Sequence, residues 1–248
     1  MSICNFCKIE SDFRKDYKYC SKNCRVLGKR TSDINIFDDW NQLSAYVMGL
    51  IWTDGNIYTQ NANTGTLLDI TTTDKDLMTI LHDVITPTKK LYTYKPKKGN
   101  LTYSIKTRNI YIIDSLIESG LTEKKTYTLE WPKDLPEELE SHFIRGCFDG
   151  DGCVFLNKVN GHKYLHVSIT GIKNPFITKL FDKLSQFNPK WYEDKRSLAW
   201  QIKIYGKNEV SKFADYIYKD QEICLKRKMQ IFLREKYLKS LVPSIQKD

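Results

Sequence analysis

What this chain lacks narrows its identity first. No apolar run approaches the ~20 residues that span a bilayer, so no membrane segment is expected. The opening Met-Ser-Ile-Cys-Asn has none of the charged-then-apolar layout of a secretory signal, and an intracellular protein is expected. Only four histidines occur in 248 residues, with no spacing that suggests a ligand set, and no Ser-His-Asp or Cys-His constellation emerges. Acidic residues are in deficit: 30 Asp and Glu stand against 39 Lys and Arg, a formal charge of +9. That sign favours a polyanionic partner, nucleic acid before membrane. Hydrophobic residues (41%) and aromatics (12%) suffice for a core and exclude global disorder. The length allows one large domain or two small ones.

In a reducing compartment, seven cysteines read as thiols or metal ligands rather than a disulfide framework. Four of them cluster as Cys4-x2-Cys7 and Cys20-x3-Cys24, with twelve residues between the pairs. Two close pairs at that separation can wrap one tetrahedral Zn2+. A segment this short cannot hold itself together by burial, so the metal would supply its folding energy. Residues 1–30 are therefore expected to form a small zinc-binding module, and Tyr19-Cys20-Ser21-x-x-Cys24 resembles the treble-clef or ribbon-like modules in which that run opens a helix. Its Lys22, Arg25, Lys29 and Arg30 either meet phosphate or form a solvated basic face. Cys147, Cys153 and Cys224 have no ligand spacing and are expected to be buried thiols.

Two stretches say the same thing: Val47-Met-Gly-Leu-Ile-Trp-Thr-Asp-Gly55 and Ile144-Arg-Gly-Cys-Phe-Asp-Gly-Asp-Gly152. Each reads as a helix with small residues on one face, stopped at Asp-Gly. Small residues let two helices approach backbone to backbone, and glycine ends a helix cleanly. Packed together, the pair would set Asp54 and Asp151 side by side. Like charges that close are unfavourable unless a cation lies between them, so the pattern predicts a metal site.

The repeat extends beyond the motif. At the same offset of 97 residues, Leu101-Thr-Tyr-Ser-Ile-Lys106 falls on Leu198-Ala-Trp-Gln-Ile-Lys203. Ile113, Leu116 and Ile117 then fall on Val210, Phe213 and Ala214, an amphipathic helix in one register. The expected order in each half is αββαββα, in an α+β fold. Residues 31–121 form the first half, 122–138 a non-helical linker with Pro132 and Pro136, and 139–248 the second half. In the second half Leu165, Val167 and Ile169 alternate with Tyr164, His166, Ser168 and Thr170, so each sheet should keep one face for helices and one for water or a ligand. From Lys89 to Arg108 there are seven basic residues and no acidic one, with Tyr92, Tyr94 and Tyr103 interleaved, which points to DNA. Lys95, Lys97 and Lys98 are expected on phosphates. Thr102, Ser104, Lys106, Gln201 and Lys203, with Asp69, Thr71, His166 and Ser168, are candidates for base edges.

Both motifs, with the duplication over roughly residues 40 to 235, resemble the LAGLIDADG homing endonucleases in their single-chain, two-motif form. The first copy departs from the family pattern at Trp52, where an acidic residue is common, and at Thr53, where Ala or Gly is usual. The resemblance implies saddle-shaped antiparallel sheets in two pseudo-symmetric halves. It implies a monomeric, site-specific double-strand DNA endonuclease leaving short 3′ overhangs, with a long and partly asymmetric target. It also implies Mg2+ held by Asp54 and Asp151 and by the carbonyls of Thr53 and Gly150, with an active-site lysine in each half. These lysines are Lys125 in the first half and Lys228 in the second, with Lys226 as an alternative to Lys228. Intron RNA, bound by a maturase on the same fold, is an alternative partner, and a non-cleaving DNA-binding regulator is another reading.

Overall fold

The structure is a computed structural model and describes residues 2–4, 10–11, 20–21, 35–59, 65–159, 161–195 and 199–238. The chain runs β1 (Ser2–Ile3), β2 (Glu10–Ser11), α1 (Gln42–Asp54), β3 (Gly55–Thr59), β4 (Thr66–Thr72), α2 (Lys75–Ile85), β5 (Tyr92–Tyr94), β6 (Thr102–Thr107) and α3 (Ile110–Glu118). A non-helical stretch leads to a 3-10 turn at Glu137–Leu139. Then come α4 (Glu140–Asp151), β7 (Gly152–Val159), β8 (His162–Ile172), α5 (Pro175–Lys183), β9 (Lys190–Asp194), β10 (Ala199–Ile204), α6 (Lys207–Tyr218) and α7 (Lys226–Arg234). The αββαββα order occurs twice, as the repeat requires. No helix of the described residues is long and apolar enough to cross a membrane.

The helices begin where short polar side chains can take up orphan amides. Asn41 accepts from Leu43 N at 2.9 Å and Ser44 N at 3.0 Å, Asp74 caps α2, and Asn174 caps α5 just before Pro175. Two antiparallel sheets of four strands share one order, β3-β4-β6-β5 and β7-β8-β10-β9. The duplication thus reaches strand topology. Register preserves it with a shift: Lys106 pairs with Asp69 in the first sheet, and its counterpart Lys203 pairs with Ser168 in the second. Those partners lie 99 residues apart rather than 97, so the second half has two residues more between Gly152 and Ser168 and two fewer between Ser168 and Lys203.

Packing divides the chain differently from the repeat. One compact unit comprises Met1–Asp38 and Ile57–Ile117, the other Asp39–Asn56 and Glu118–Asp248. In the first, Leu77, Met78, Leu81 and Ile85 of α2 and Ile112, Ile113 and Leu116 of α3 are buried with Leu67, Leu68 and Ile70 of β4. Ile117, expected in that core, is 45% exposed, because the buried stripe of α3 runs one residue earlier, through Ile112. In the second, Leu165, Val167 and Ile169 bury beneath Val210, Phe213, Ala214 and Ile217 of α6.

The first motif helix, α1, belongs to the second unit because it packs against α4. Gly49 and Gly146 make this possible. A Cβ on Gly49 would lie 2.2 Å from Phe143 O, and one on Gly146 would lie 2.1 Å from Tyr46 O. Only bare backbone fits on either side of that crossing. The glycines that end the two helices work otherwise than expected. Gly55 and Gly152 are extended, with φ −78° and −83°, and need no left-handed backbone. What they require is space: a Cβ would strike Ile51 O at 2.6 Å in one case and Phe148 O at 2.4 Å in the other.

Cys4 is buried and Cys20 half-buried, whereas Cys7 and Cys24 of the expected zinc set lie outside the described residues. Among the described residues no group of three or more His, Cys, Asp or Glu suited to a metal occurs. Cys147 and Cys224 are buried as expected, but Cys153 is exposed. It stands on β7 opposite Ser168, on the sheet face that the helices do not cover.

Candidate functional site at the paired helix ends

The paired helices bring the ends of α1 and α4 together. A Cβ on Gly150 would sit 2.1 Å from Thr53 Oγ1 and 3.5 Å from Asp54 Oδ2. The carboxylate of the first motif therefore reaches the backbone of the second. Burial raises the pKa of Asp54, and that of Asp151 is pushed up to about 6 by burial and then by the negative charge of Asp54. Asp151 keeps one side open to solvent. The Asp54 charge thus makes Asp151 harder to ionise, and each carboxylate stands at the negative end of a helix. A cation among these groups would relieve both strains.

Two lysines answer part of that charge. Lys125, in the turn after α3, directs Nζ at Ile51 O (2.8 Å), Trp52 O (2.5 Å) and Thr53 O (3.2 Å). Lys228, on α7, directs Nζ at Phe148 O (2.6 Å), Asp149 O (2.9 Å) and Gly152 O (2.5 Å). Each ammonium has three donors: Lys125 places all three on the last carbonyls of α1, and Lys228 places two on those of α4 and one on Gly152 just past its end. Burial lowers both lysines to about 8, against the pull of nearby carboxylates. Lys226 is exposed, while Lys228 is 4% exposed and shares a helix face with buried Phe232. The geometry therefore singles out Lys228 over Lys226. The i, i+4 spacing to Phe232 is the sequence signal that distinguishes them.

A cavity of about 240 Å³ opens beside Asp151 and Lys125, lined also by Thr53, Cys147, Thr170 and Asn174. At ~30 Å³ per molecule it has room for several waters next to the carboxylate.

The candidate DNA-contacting residues divide by sheet. In the first, Asp69 is a hub: Ser104 Oγ donates to it at 3.0 Å, Thr71 Oγ1 at 3.3 Å, and Lys106 Nζ lies 2.9 Å away. Four residues expected to read bases singly are one connected polar cluster. Thr102 is half-buried on the same strand, and Lys95, Lys97 and Lys98 are exposed in the turn between β5 and β6. In the second sheet, His166 sits between Phe155 and Tyr205, with ring centroids 5.7 Å away on either side. Lys203 Nζ lies 3.7 Å over the Tyr192 ring. Gln201 is half-buried, whereas Ser168 is only 6% exposed and its hydroxyl has little surface for a base to reach. Phe155, Tyr192 and Tyr205 were not anticipated as part of this face, although period-2 alternation from Cys153 would have placed Phe155 there.

Comparison with known proteins bears on the fold. Residues 138–218 match the model of a LAGLIDADG-like domain. No curated protein matches the chain. Among solved structures, meganuclease I-SmaMI bound to uncleaveable DNA shares 15% identity over 78% of this chain and 90% of that one, with a TM-score of 0.53. The I-LtrWI LAGLIDADG homing endonuclease bound to target DNA shares 14% over 79% and 89%, with a TM-score of 0.51. The LAGLIDADG homing endonuclease I-GzeII in complex with its DNA target shares 12% over 81% and 93%, with a TM-score of 0.52. At such identities the likeness is one of fold: this chain has the α+β fold of the two-domain LAGLIDADG proteins.

Proposed function

We propose that this protein is a monomeric, site-specific double-strand DNA endonuclease of the homing type, leaving short 3′ overhangs. The observation that carries the reading is the convergence of Asp54 and Asp151 at two packed helix ends, one end backed by half-buried Lys125 and the other by buried Lys228. The residues fit a divalent metal: the ionised Asp151 carboxylate is destabilised by burial and by the charge of Asp54, and Gly150 leaves a cradle that any side chain would fill. Asp54 and Asp151, with the carbonyls of Thr53 and Gly150, would hold Mg2+, which supplies Lewis-acid stabilisation to the phosphate and its attacking and leaving oxygens. Lys125 and Lys228 fix the carbonyls of the two helix ends and add positive charge behind the scissile phosphates. The cavity beside Asp151 stores water within reach of the chemistry. The open faces of the two sheets meet the duplex, through Lys95, Lys97 and Lys98 on phosphates and through the Asp69 cluster and the His166, Gln201 and Lys203 face on bases.

The test is a plasmid carrying a target selected from a randomised DNA library. Asp54→Asn and Asp151→Asn should each slow double-strand cleavage in magnesium by roughly 10²–10³-fold, the scale of losing one preorganised charge in a transition state. Binding should persist, since a carboxylate facing phosphate is removed. Full linearisation by Asp151→Asn at the wild-type rate would refute the mechanism. Wild type that binds the target and never cuts it would favour a regulator or an intron-RNA maturase.

The spacing of Cys4, Cys7, Cys20 and Cys24 supports a structural Zn2+ at the N-terminus. Elemental analysis should find about one equivalent of zinc, which Cys20→Ser abolishes. Zinc-free wild type with oxidised cysteine pairs would sink the assignment.

A further inference from the structure

Lys125 and Lys228 do the same work, but the segments that carry them are held by different chemistry. In the first case Trp52 of α1 donates its indole Nε1–H to Glu130 O at 2.9 Å, pinning the chain five residues beyond Lys125. At the equivalent place on α4 stands Asp149, 1% exposed. Its Oδ2 accepts from Tyr46 OH at 2.8 Å and from Leu225 N at 2.7 Å. Leu225 immediately precedes α7, and its carbonyl accepts from Lys228 N at 3.0 Å.

One turn earlier on α4, Arg145 has no exposed surface. Its Nε donates to Ile223 O at 2.9 Å, and its Nη1 to Ile217 O at 2.9 Å and His142 Nδ1 at 2.7 Å. Arg145 also lies 5.2 Å from the centre of the Tyr46 ring. Two charged side chains are thus buried in one helix, with no direct ion pair between them among the described residues. Burying such groups is costly, and an apolar replacement of similar volume is often as stable. Bulk stability therefore does not explain them. What they share is a target: main-chain atoms of Ile217, Ile223 and Leu225, on the segment that leads into Lys228.

We propose that Asp149 and Arg145 are positioning residues for one of the two strand cleavages. They seat α7 so that Lys228 meets the end of α4, while Lys125 has its own support in Trp52 and Glu130 and does not depend on them. The inference rests on the endonuclease reading above. It adds that the two cuts can be separated by substituting a residue that touches neither metal nor DNA.

The experiment uses full-length protein and a supercoiled plasmid carrying the selected target, alongside a duplex labelled on each strand. Asp149→Asn should slow one strand by on the order of 10²-fold, the effect of a small misplacement of a reacting group, and leave the other within about 3-fold. Nicked circles should then accumulate at unchanged DNA affinity. Lys228→Met should slow the same strand and Lys125→Met the opposite one. Combining Asp149→Asn with Lys228→Met should be no slower than Lys228→Met alone, because the two act as one unit. Tyr46→Phe removes a single bond to Asp149 and should give a weaker bias towards the same strand, and it serves if Asp149→Asn fails to fold. Equal slowing of both strands, or of neither, by a folded variant would overturn the proposal while leaving the endonuclease reading intact. If wild type does not cut, that reading fails instead. Amide exchange then decides the positioning: Asp149→Asn or Tyr46→Phe should speed exchange in residues 225–229 at least 10-fold over wild type and spare β8 and β10, and unchanged exchange would overturn it.

Discussion

The two halves of this chain share a strand order and a motif, yet they differ in the side chains on their uncovered sheet faces and behind their motif helices. Both uncovered faces carry tyrosine, Tyr92 and Tyr94 beside Ser104 and Thr102 in the first sheet and Tyr192 beside Gln201 in the second. They differ in what surrounds it: the first is centred on Asp69, with Ser104, Thr71 and Lys106 tied to it, and the second on Phe155, His166 and Tyr205 in a row, with Tyr192 beneath the Lys203 ammonium. The same divergence appears inside, where an indole–carbonyl bond does in one half what a buried carboxylate and a guanidinium do in the other. Backbone geometry is what the duplication conserves. Side chains differ even where they meet across the halves, as Asp149 does with Tyr46.

The comparison can be broken first where the halves should be equivalent. Gly49→Ala and Gly146→Ala each drive a Cβ into the backbone of the opposite helix, at 2.2 and 2.1 Å. Each should destabilise the protein by about 3 kcal/mol, at the upper end of overpacking effects, as read by urea unfolding. If one is tolerated and the other is not, the helix crossing is not the symmetric contact described above.

A second effect should belong to one half only. His142 Nδ1 accepts from Arg145, and burial together with that guanidinium lowers its pKa to about 4, against a weaker pull from Asp220. The folded protein therefore keeps His142 neutral, while the unfolded chain protonates it near pH 6.5. The stability from this group is present above pH 6.5 and lost as pH falls through about 4. The loss should be on the order of 2 kcal/mol in the unfolding free energy, and His142→Gln should flatten that part of the profile. An unchanged profile in the variant would remove His142 from the network.

The smallest effects should sharpen the contrast between the sheet faces. Neutralising Lys95, Lys97 and Lys98 should weaken DNA binding for all sequences and flatten the salt slope by roughly one unit per lost phosphate contact. Changing Lys106, Lys203 or His166 should instead shift which bases are preferred, by about 1–3 kcal/mol per base pair. Selection on the variants separates the faces: Lys106→Ala should relax one end of the target, and His166→Ala or Lys203→Ala the other. A lysine triple variant with wild-type affinity at low and moderate salt would take the β5–β6 turn out of the interface.

Much of this was legible in the residues. Asp54 and Asp151, the small faces of their helices, the αββαββα order and the alternation of β8 all follow from periodicity and repetition, because backbone hydrogen bonding and burial impose periods of 3.6 and 2 that a sequence must carry. The exposure of Ile117 and Cys153 did not follow, since each sits at the end of an element, where the period stops constraining which side is covered. The choice of Lys228 over Lys226 needed the buried face of α7, and the roles of Asp149, Arg145 and Tyr46 needed partners 72 to 103 residues away in the chain. The sequence by itself determined which groups could carry charge to the helix ends and how the chain would repeat. Only the tertiary structure decided that two ammonium groups cap those ends, that a carboxylate and a guanidinium seat one of them, and that the two sheets present unlike faces. Those are contacts between distant segments, fixed by desolvation and three-dimensional packing, which leave no local period in the sequence.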